Sequence, residues 1–538
     1  MRGERCNNLQ QLTRMAANNA IYPDDKMLNK RQAFAEHVEA FHKDSLIPLK
    51  ADYSGIVLMS AHQPNFLPYS GVVKKIVLLH AIAEQLRETL HCSVMELFCF
   101  ADQDFADELY FHKTQLPCVR SKSGTLDLRL SVPREFRKRL MCAVPKPNEG
   151  EIEKIKAEIQ RWAMESGDSI ANQCKYLGLR PPDVAVDTRT VFEIIDRANE
   201  MSASMADFNA FFLAYVIEQC GYDTAFARFS QSQQVFNDEI FFLLEHFNQY
   251  SRLMAGSQDP PATKPPIPIW YHCRCDGKSD VEIVRSFDPT VITRCRACNA
   301  TAEFKGDLSS VVQQMLPDIS LRAEAMLLAF SGIGVTLYVG GKGGAEYLNR
   351  ASKVASGLHM QFPIVSIWRP RDVYGGAAQL DAILQLLRVR SKYNLLRNEK
   401  TCSATDLSNE LEDVLAGLER VISSLDKLKN DIASRRVKGF KEDIAFIVKM
   451  QSEINARFKR HEVARDRSLV QNARKTLEVI PSIVDYAVNI GIKATAIQWS
   501  DALEANIQFT TDLPLKTNAS SDAFFNTIRQ LCTGDLFE

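Results

Sequence analysis

IVLMSAHQPNFLPYSGVVKKI, residues 56–76, decides how this chain is to be read. Ile56 to Met59 is a short apolar run that reads as a buried strand, and from about residue 71 the pattern reads as a helix. Between them stand a His, a Gln, an Asn and two prolines. Further on, a strand is expected at about 94–100, followed by an acidic loop. Strand, helix and strand in that order make a βαβ unit, whose parallel strands leave a ligand crevice at their C-terminal edge. The polar loop therefore falls where α/β folds bind small molecules.

The pattern then breaks and returns. Residues 150–250 are mostly helical in period, with GYDTAFARF (221–229) as a strand rejoining the sheet. GSQDPPATKPPIPIW (256–270) carries five prolines and reads as an extended linker. After a cysteine-rich module, residues 323–368 resume the alternation: helix, strand 334–339, the turn GGKGG, helix, strand 363–368. Beyond about 376 the chain is helical. Leu407, Leu411, Val414, Leu418, Val421, Leu425, Leu428 and Ile432 step by four and three, the seam of a coiled coil. Its partner helix is expected either from residues 440–480 of the same chain or from a second subunit, as a homodimer.

The expected fold class is thus α/β: a parallel-sheet core, an inserted zinc-knuckle module and a C-terminal helical coiled-coil region. The expected divisions are a helical lead-in (1–50), a first core part (51–255), the linker and four-Cys module (256–320), a second core part (321–376), the helical arm (377–490) and a segment returning to the core (491–538).

Bulk properties restrict the function classes. Lys and Arg number 65 and Asp and Glu 66, a formal net charge of -1, so no global field draws the chain to nucleic acid or to an anionic membrane. No apolar run approaches the roughly 18 residues of a membrane span, and residues 1–20 lack a signal-peptide core, so a cytoplasmic protein is expected. Thirteen scattered cysteines do not make a disulfide framework. Four of them do make a constellation: Cys273-x-Cys275 and Cys295-x-x-Cys298, 19 residues apart, suit a tetrahedral structural Zn2+ with no open position for catalysis.

Three polar turns supply candidate chemistry. After the first strand, His62 and Gln63 can donate hydrogen bonds to an oxyanion or phosphate, with Asn65, Tyr69 and Ser70 packed around them and the helix N-terminus aimed at the same spot. After the second, FADQDFADELYFH places Asp102, Asp104, Asp107 and Glu108 together, able to orient an amine, hold Mg2+ or act as a base. After the later strand, LYVGGKGGAEYLNR offers Gly341, Lys342 and Gly343 to an anion.

These motifs resemble a family. SAHQPNFLPYSGVVKKI looks like the opening Gln-Gln-Pro motif of the bacillithiol-biosynthesis cysteine-adding enzymes (BshC); FCFADQDFADELYF resembles their strand ending in Glu-Asp-His-Asp. GGKGGAEY with Tyr347 resembles their Gly-Pro-Gly-Glu turn, and SLRAEAM with Arg322 their central Thr-Arg-Pro-Leu segment. The first motif is also similar to that of the shorter WbqC-like proteins. The resemblance implies a Rossmann-like core, a dimerising coiled coil, and a ligase joining cysteine to an amino-sugar conjugate, with ATP and Mg2+ as cofactors. In that reading His62, Gln63 and Lys342 contact an oxyanion or phosphate, and Asp102 and Asp104 orient the amine or a metal ion. The chain departs from the family at His62, Ala101, Gln103, Lys342 and Gly344, and the four-Cys module is additional. Two readings compete: a binding or scaffold protein of the same fold with altered catalysis, and a nucleic-acid-associated zinc-ribbon protein.

Overall fold

The computed structural model describes residues 9–181, 186–255, 267–284, 290–341, 344–368, 371–374, 376–393, 404–434, 448–449, 452–453, 459–505 and 510–513. Most of the proline-rich linker, Lys342, Gly343 and the far part of the helical arm lie outside these residues. The strands are β1 (Ile56–His62), β2 (Val94–Phe100), β3 (Lys113–Pro117), β4 (Thr125–Arg129), β5 (Ala225–Arg228), β6 (Ile269–His272), β7 (Lys278–Val284), β8 (Thr290–Cys295), β9 (Thr301–Lys305), β10 (Ile319–Leu321), β11 (Val335–Gly341), β12 (Ile364–Trp368), β13 (Arg371–Tyr374) and β14 (Thr510–Leu513).

Five of them form one parallel sheet in the order β12-β11-β1-β2-β5. The chain builds outward from β1 through β2 to β5, then crosses back to add β11 and β12 on the other side. The direction of growth reverses between β1 and β11, the kind of switch point at whose C-terminal edge open α/β sheets bind ligands. Both faces of this sheet are covered. Ile56, Leu58, Phe98 and Phe100 enter one core with the helices Ser70–Leu90 and Met205–Cys220; Val57, Met59, Leu97 and Cys99 enter another with Phe34, Val38 and the helix Ala323–Ala329. A strand buried on both sides needs no polar alternation, which is why residues 56–59 read as an unbroken apolar run.

A second sheet, antiparallel and ordered β10-β6-β7-β8-β9, is inserted between β5 and β11 and carries the four cysteines. The N-terminal residues are more than a lead-in. Arg31, 1% exposed, donates through Nε to Ile333 O (2.8 Å) and through Nη1 to Tyr53 O (2.9 Å) and Gly55 O (2.6 Å), tying together the entries to β1 and β11.

The helix Ala404–Ser434 finds its partner inside the chain: Arg467 pairs with Glu419 (2.6 Å) and Gln471 donates to Glu412 (2.9 Å), an antiparallel register with Arg460–Glu478. Its buried apolar positions among the described side chains are Leu407, Leu411, Leu415 and Ile422, whereas Val421 of the expected seam is 47% exposed. The helix Ala377–Lys392 shares the same core, and packing against two neighbours takes a broader stripe than a single 3.5-residue seam. The side chains of Leu425, Leu428 and Ile432 lie outside the described residues. No helix among the described residues is long and apolar enough to cross a membrane.

Replacing Arg31 by Ala leaves several buried carbonyls without a donor, at about 1–3 kcal/mol each before relaxation. Urea unfolding of Arg31→Ala is expected to show a loss of about 3 kcal/mol or more; an unchanged midpoint would remove this account of how the N-terminal helix holds the sheet.

Candidate functional site

The loop 63–70 is largely buried, and each end of it is tied to a distant part of the chain. Asn209 Nδ2 donates to Pro64 O (2.9 Å), Phe66 N–H to Tyr110 O (2.9 Å), and Thr114 Oγ1 and Ser482 Oγ to Leu67 O (2.9 and 2.8 Å). Ile483 N–H donates to Pro68 O (2.8 Å). Leu67 is held at φ 41°, a left-handed conformation unfavourable for a branched side chain and sustained by those two bonds to its carbonyl. The prolines suit such a loop, since they bring fewer N–H groups that burial would leave bare. The helix N-terminus expected to face a ligand is covered instead: Ser70 N–H donates to Pro481 O (2.9 Å).

At the loop's mouth His62 donates through Nδ1 to Gln63 O (3.0 Å), which makes Nε2 the acceptor for the Tyr69 hydroxyl (3.2 Å). Burial, and then the neighbouring Lys75 ammonium, push the His62 pKa down to about 3, so the ring is neutral at pH 7. Lys74 and Lys75, one turn inside the helix where their charge could have joined an anion site, are buried in the core. Lys75 Nζ donates to Ala61 O (3.0 Å), Lys74 Nζ lies 4.8 Å from the Trp499 ring, and burial lowers both pKa values to about 7.

Gln63 turns to the acidic loop, where its Nε2 donates to Asp104 Oδ2 (2.5 Å). The other oxygen, Oδ1, accepts from Phe105 N–H (2.9 Å) and from Lys278 Nζ (3.1 Å), a lysine on β7 of the antiparallel sheet. Burial alone would raise the Asp104 pKa; Lys278 and these hydrogen bonds hold it below the usual carboxylate range. Lys278 in turn has a lowered pKa, because burial outweighs its pairing with Asp104. Asp104 keeps 40% of its side chain exposed, so its ion pair with Lys278 is partly open at the mouth.

Asp102 has a different surrounding. It is 2% exposed, accepts from Ser230 N–H (2.9 Å) at Oδ1 and from the Ser230 hydroxyl at Oδ2, and is turned into the protein, where it cannot reach an amine or metal at the mouth. Asn65 is also buried (4% exposed), with no hydrogen bond to either side-chain atom among the described residues.

From the other side of the reversal point comes Tyr347. Its hydroxyl bonds that of Tyr338 on β11, whose own hydroxyl lies beside the Ala61 backbone, and with Tyr110 it stands near enough to Tyr69 to disfavour ionisation of that phenol. Burial, then these two phenols, push the Tyr69 pKa up to about 12. A Cβ on Gly344 would come within 2.5 Å of the Tyr347 hydroxyl, so the glycine at 344 gives that ring its place. Gly341 closes β11 with open space where a side chain would stand.

Arg322 follows β10, with its guanidinium 3.7 Å from the Trp270 ring; Arg296 lies 4.6 Å and Lys278 5.6 Å from the same ring. Trp270, Phe105 and Lys278 thus join the antiparallel sheet to the acidic loop. Sequence reasoning does not reveal this contact: Lys278 reads there only as a charge near the cysteines, and no local period marks its inward direction.

The four cysteines form a centre that fits zinc. Cys273 and Cys298 Sγ lie 3.6 Å apart, as do Cys275 and Cys295 Sγ, and all four sulfurs lie within 4.8 Å of one another. A tetrahedron with Zn–S bonds of about 2.3 Å has edges of about 3.8 Å, whereas a disulfide needs about 2.05 Å. Asp276 (φ 61°) and Asn299 (φ 62°) make the two tight knuckles, and a Cβ on Gly277 would press to 2.9 Å from Cys295 Sγ. The metal would supply a crosslink three residues from Lys278. The acidic loop does not bring three ligand atoms together among the described residues; the other such group, His80, Glu84 and Glu96, is crossed by Arg87, which pairs with Glu84 (2.5 Å) and Glu96 (2.9 Å).

No protein-family model and no curated protein matches the chain. Among solved structures, one from Campylobacter jejuni, provisionally named an arginyl-tRNA synthetase, is similar over 88% of this chain and 98% of its own, at 11% identity and a TM-score of 0.27. A likeness this weak carries no inference about the site.

Purified under reducing conditions, the protein is expected to hold about one zinc per chain by metal analysis, and Gly277→Ala less than half of that; near-zero zinc in the wild type would overturn the reading of the cysteines. His62 adds a pH signature. Its folded pKa lies below the unfolded value of about 6.5, so the unfolded chain binds the extra proton and stability falls as pH drops below about 6.5. His62→Gln is expected to flatten the dependence of the urea midpoint on pH between 6.5 and 4; an unaltered slope would mean that His62 titrates normally.

Proposed function

We propose that the chain is a small-molecule enzyme with a Rossmann-like core, a ligase that joins an amino acid, cysteine or a close relative, to a carboxylate- or sugar-containing acceptor. The observation that carries this reading is that β1, β2 and β11 run parallel and so end at one edge of the sheet, where partly exposed Asp104 is bonded by Gln63 and Lys278. Asp104 would hold the ammonium of the amino acid, and Arg322, on the other side of Lys278, its carboxylate or a phosphate. Tyr69, set by neutral His62, and Tyr347 would orient the acceptor. Lys342, at the turn after β11, belongs to the same reading as an anion contact. ATP would activate the carboxylate and bring its own Mg2+ on its phosphates. The arm would make a homodimer through the face that carries Val421.

A second reading is favoured by a specific observation. Asp102 is closed off by Ser230, and His62 is too weak a base to take a proton at neutral pH, so the described groups bind and orient better than they transfer protons. A binding protein of the same fold with altered catalysis would look like this.

Incubation with ATP, Mg2+, cysteine and a panel of carboxylic and amino-sugar acceptors, followed by mass spectrometry, separates the two. The ligase reading expects AMP or ADP together with a condensed product, and a fall in kcat/KM of about 100-fold for Asp104→Asn, since a charge-assisted contact is lost. Amino-acid binding by calorimetry without turnover supports the second reading. Neither binding nor turnover removes both.

A further inference from the structure

A second cleft lies away from this edge, between the β3–β4 hairpin, the helix Glu149–Leu177 and the helix Ala377–Lys392. Its volume is about 240 Å³. Trp162, Val119 and Leu126 line it as apolar walls, and Asp381 contributes a carboxylate. That carboxylate is 2% exposed. Its hydrogen bonds, from Ser169 Oγ (2.7 Å) and Gln385 Nε2 (3.2 Å), come from neutral donors and both end on Oδ1, so Oδ2 receives none among the described residues. Burial raises the Asp381 pKa, opposed by those donors and by Arg120 from a distance. Arg120 is itself engaged with Glu165, by an ion pair of 3.4 Å and a bond to its carbonyl of 3.0 Å.

We propose that this cleft binds a small organic cation, with a primary ammonium on Asp381 and an apolar body against Trp162. A buried carboxylate without a cationic partner is costly, and a ligand ammonium supplies the missing charge and a donor for Oδ2. An anion is disfavoured by Asp381 inside and by Glu158 and Glu165, which balance Arg120 and Arg161 in the lining. The indole N–H of Trp162 is already spent on Pro117 O (2.7 Å), which leaves its ring to apolar and cation–π contact. The volume lies below the roughly 300–1,000 Å³ of drug-sized sites, so the guest is a short-chain or single-ring amine. This site is independent of the proposed ligase chemistry.

Calorimetry on the full chain with three isosteric probes tests it: phenethylammonium, 2-phenylethanol and phenylacetate. Phenethylammonium is expected to bind at least tenfold more tightly than the alcohol, and phenylacetate most weakly. Asp381→Asn, its fold checked by a thermal melt, is expected to bring phenethylammonium down to the alcohol's level. Equal affinities for the three probes in the wild type, undiminished binding by Asp381→Asn, or no binding of phenethylammonium at millimolar concentration would each overturn the proposal. The wild-type comparison stands even if the variant does not fold.

Discussion

A buried loop cannot leave its amides and carbonyls bare, and the loop after β1 is buried. Water would satisfy those groups at no cost to the rest of the chain; protein must instead come to them from elsewhere. Asn209 from the helix Met205–Cys220, Thr114 from β3 and Ser482 and Ile483 from near the C-terminal end of the described residues all meet between Pro64 and Pro68. An unpaired buried group costs about 1–3 kcal/mol, so each of these distant segments is held in place by the loop as much as the loop is by them. The edge of the sheet gains a rigid floor, and His62, Gln63 and Tyr69 gain directions that a solvated turn would not give them.

The antiparallel sheet acts on that edge from the side. Zinc-finger peptides draw about 10–16 kcal/mol from their metal, and in this chain the four-sulfur centre is the kind of crosslink that lets a small sheet hold a buried lysine against its solvation. Lys278 is the product: an ammonium delivered to Asp104 by a sheet that also meets this region through Trp270, through Arg296 over the Phe105 ring, and through the short pairing of Arg139 and Leu140 with residues 276–277. The four-cysteine site and the candidate site are therefore linked through Lys278, and in neither reading would a metal held there touch substrate.

The strands of the parallel sheet, though not their order, were open to a sequence reader. Ile56–Met59, 94–100, the stretch within 221–229, 334–339 and 363–368 are legible because a strand covered on both faces is mostly apolar, and the helices between them make the pairing parallel. The cysteine spacing was equally legible, since metal ligation depends on local turns such as those at Asp276 and Asn299. The arm was legible only in part: a helix with apolar steps of three and four was plain, while the choice of Leu415 and Ile422 over Val414 and Val421 followed from having two neighbours.

What the sequence determined by itself is whatever repeats along the chain or closes within a few residues: period, turn and ligand spacing, each set by local sterics. Tertiary structure alone decided which polar residues stayed available. Asp102 and Asp104 are two positions apart and alike in sequence, yet one is sealed by Ser230 and the other stands at the mouth between Gln63 and Lys278. Lys74 and Lys75, charged in sequence, are core residues in the fold. The physical reason is the same in each case: a side chain's charge and reach depend on which distant groups exclude water from it, and no local pattern records those.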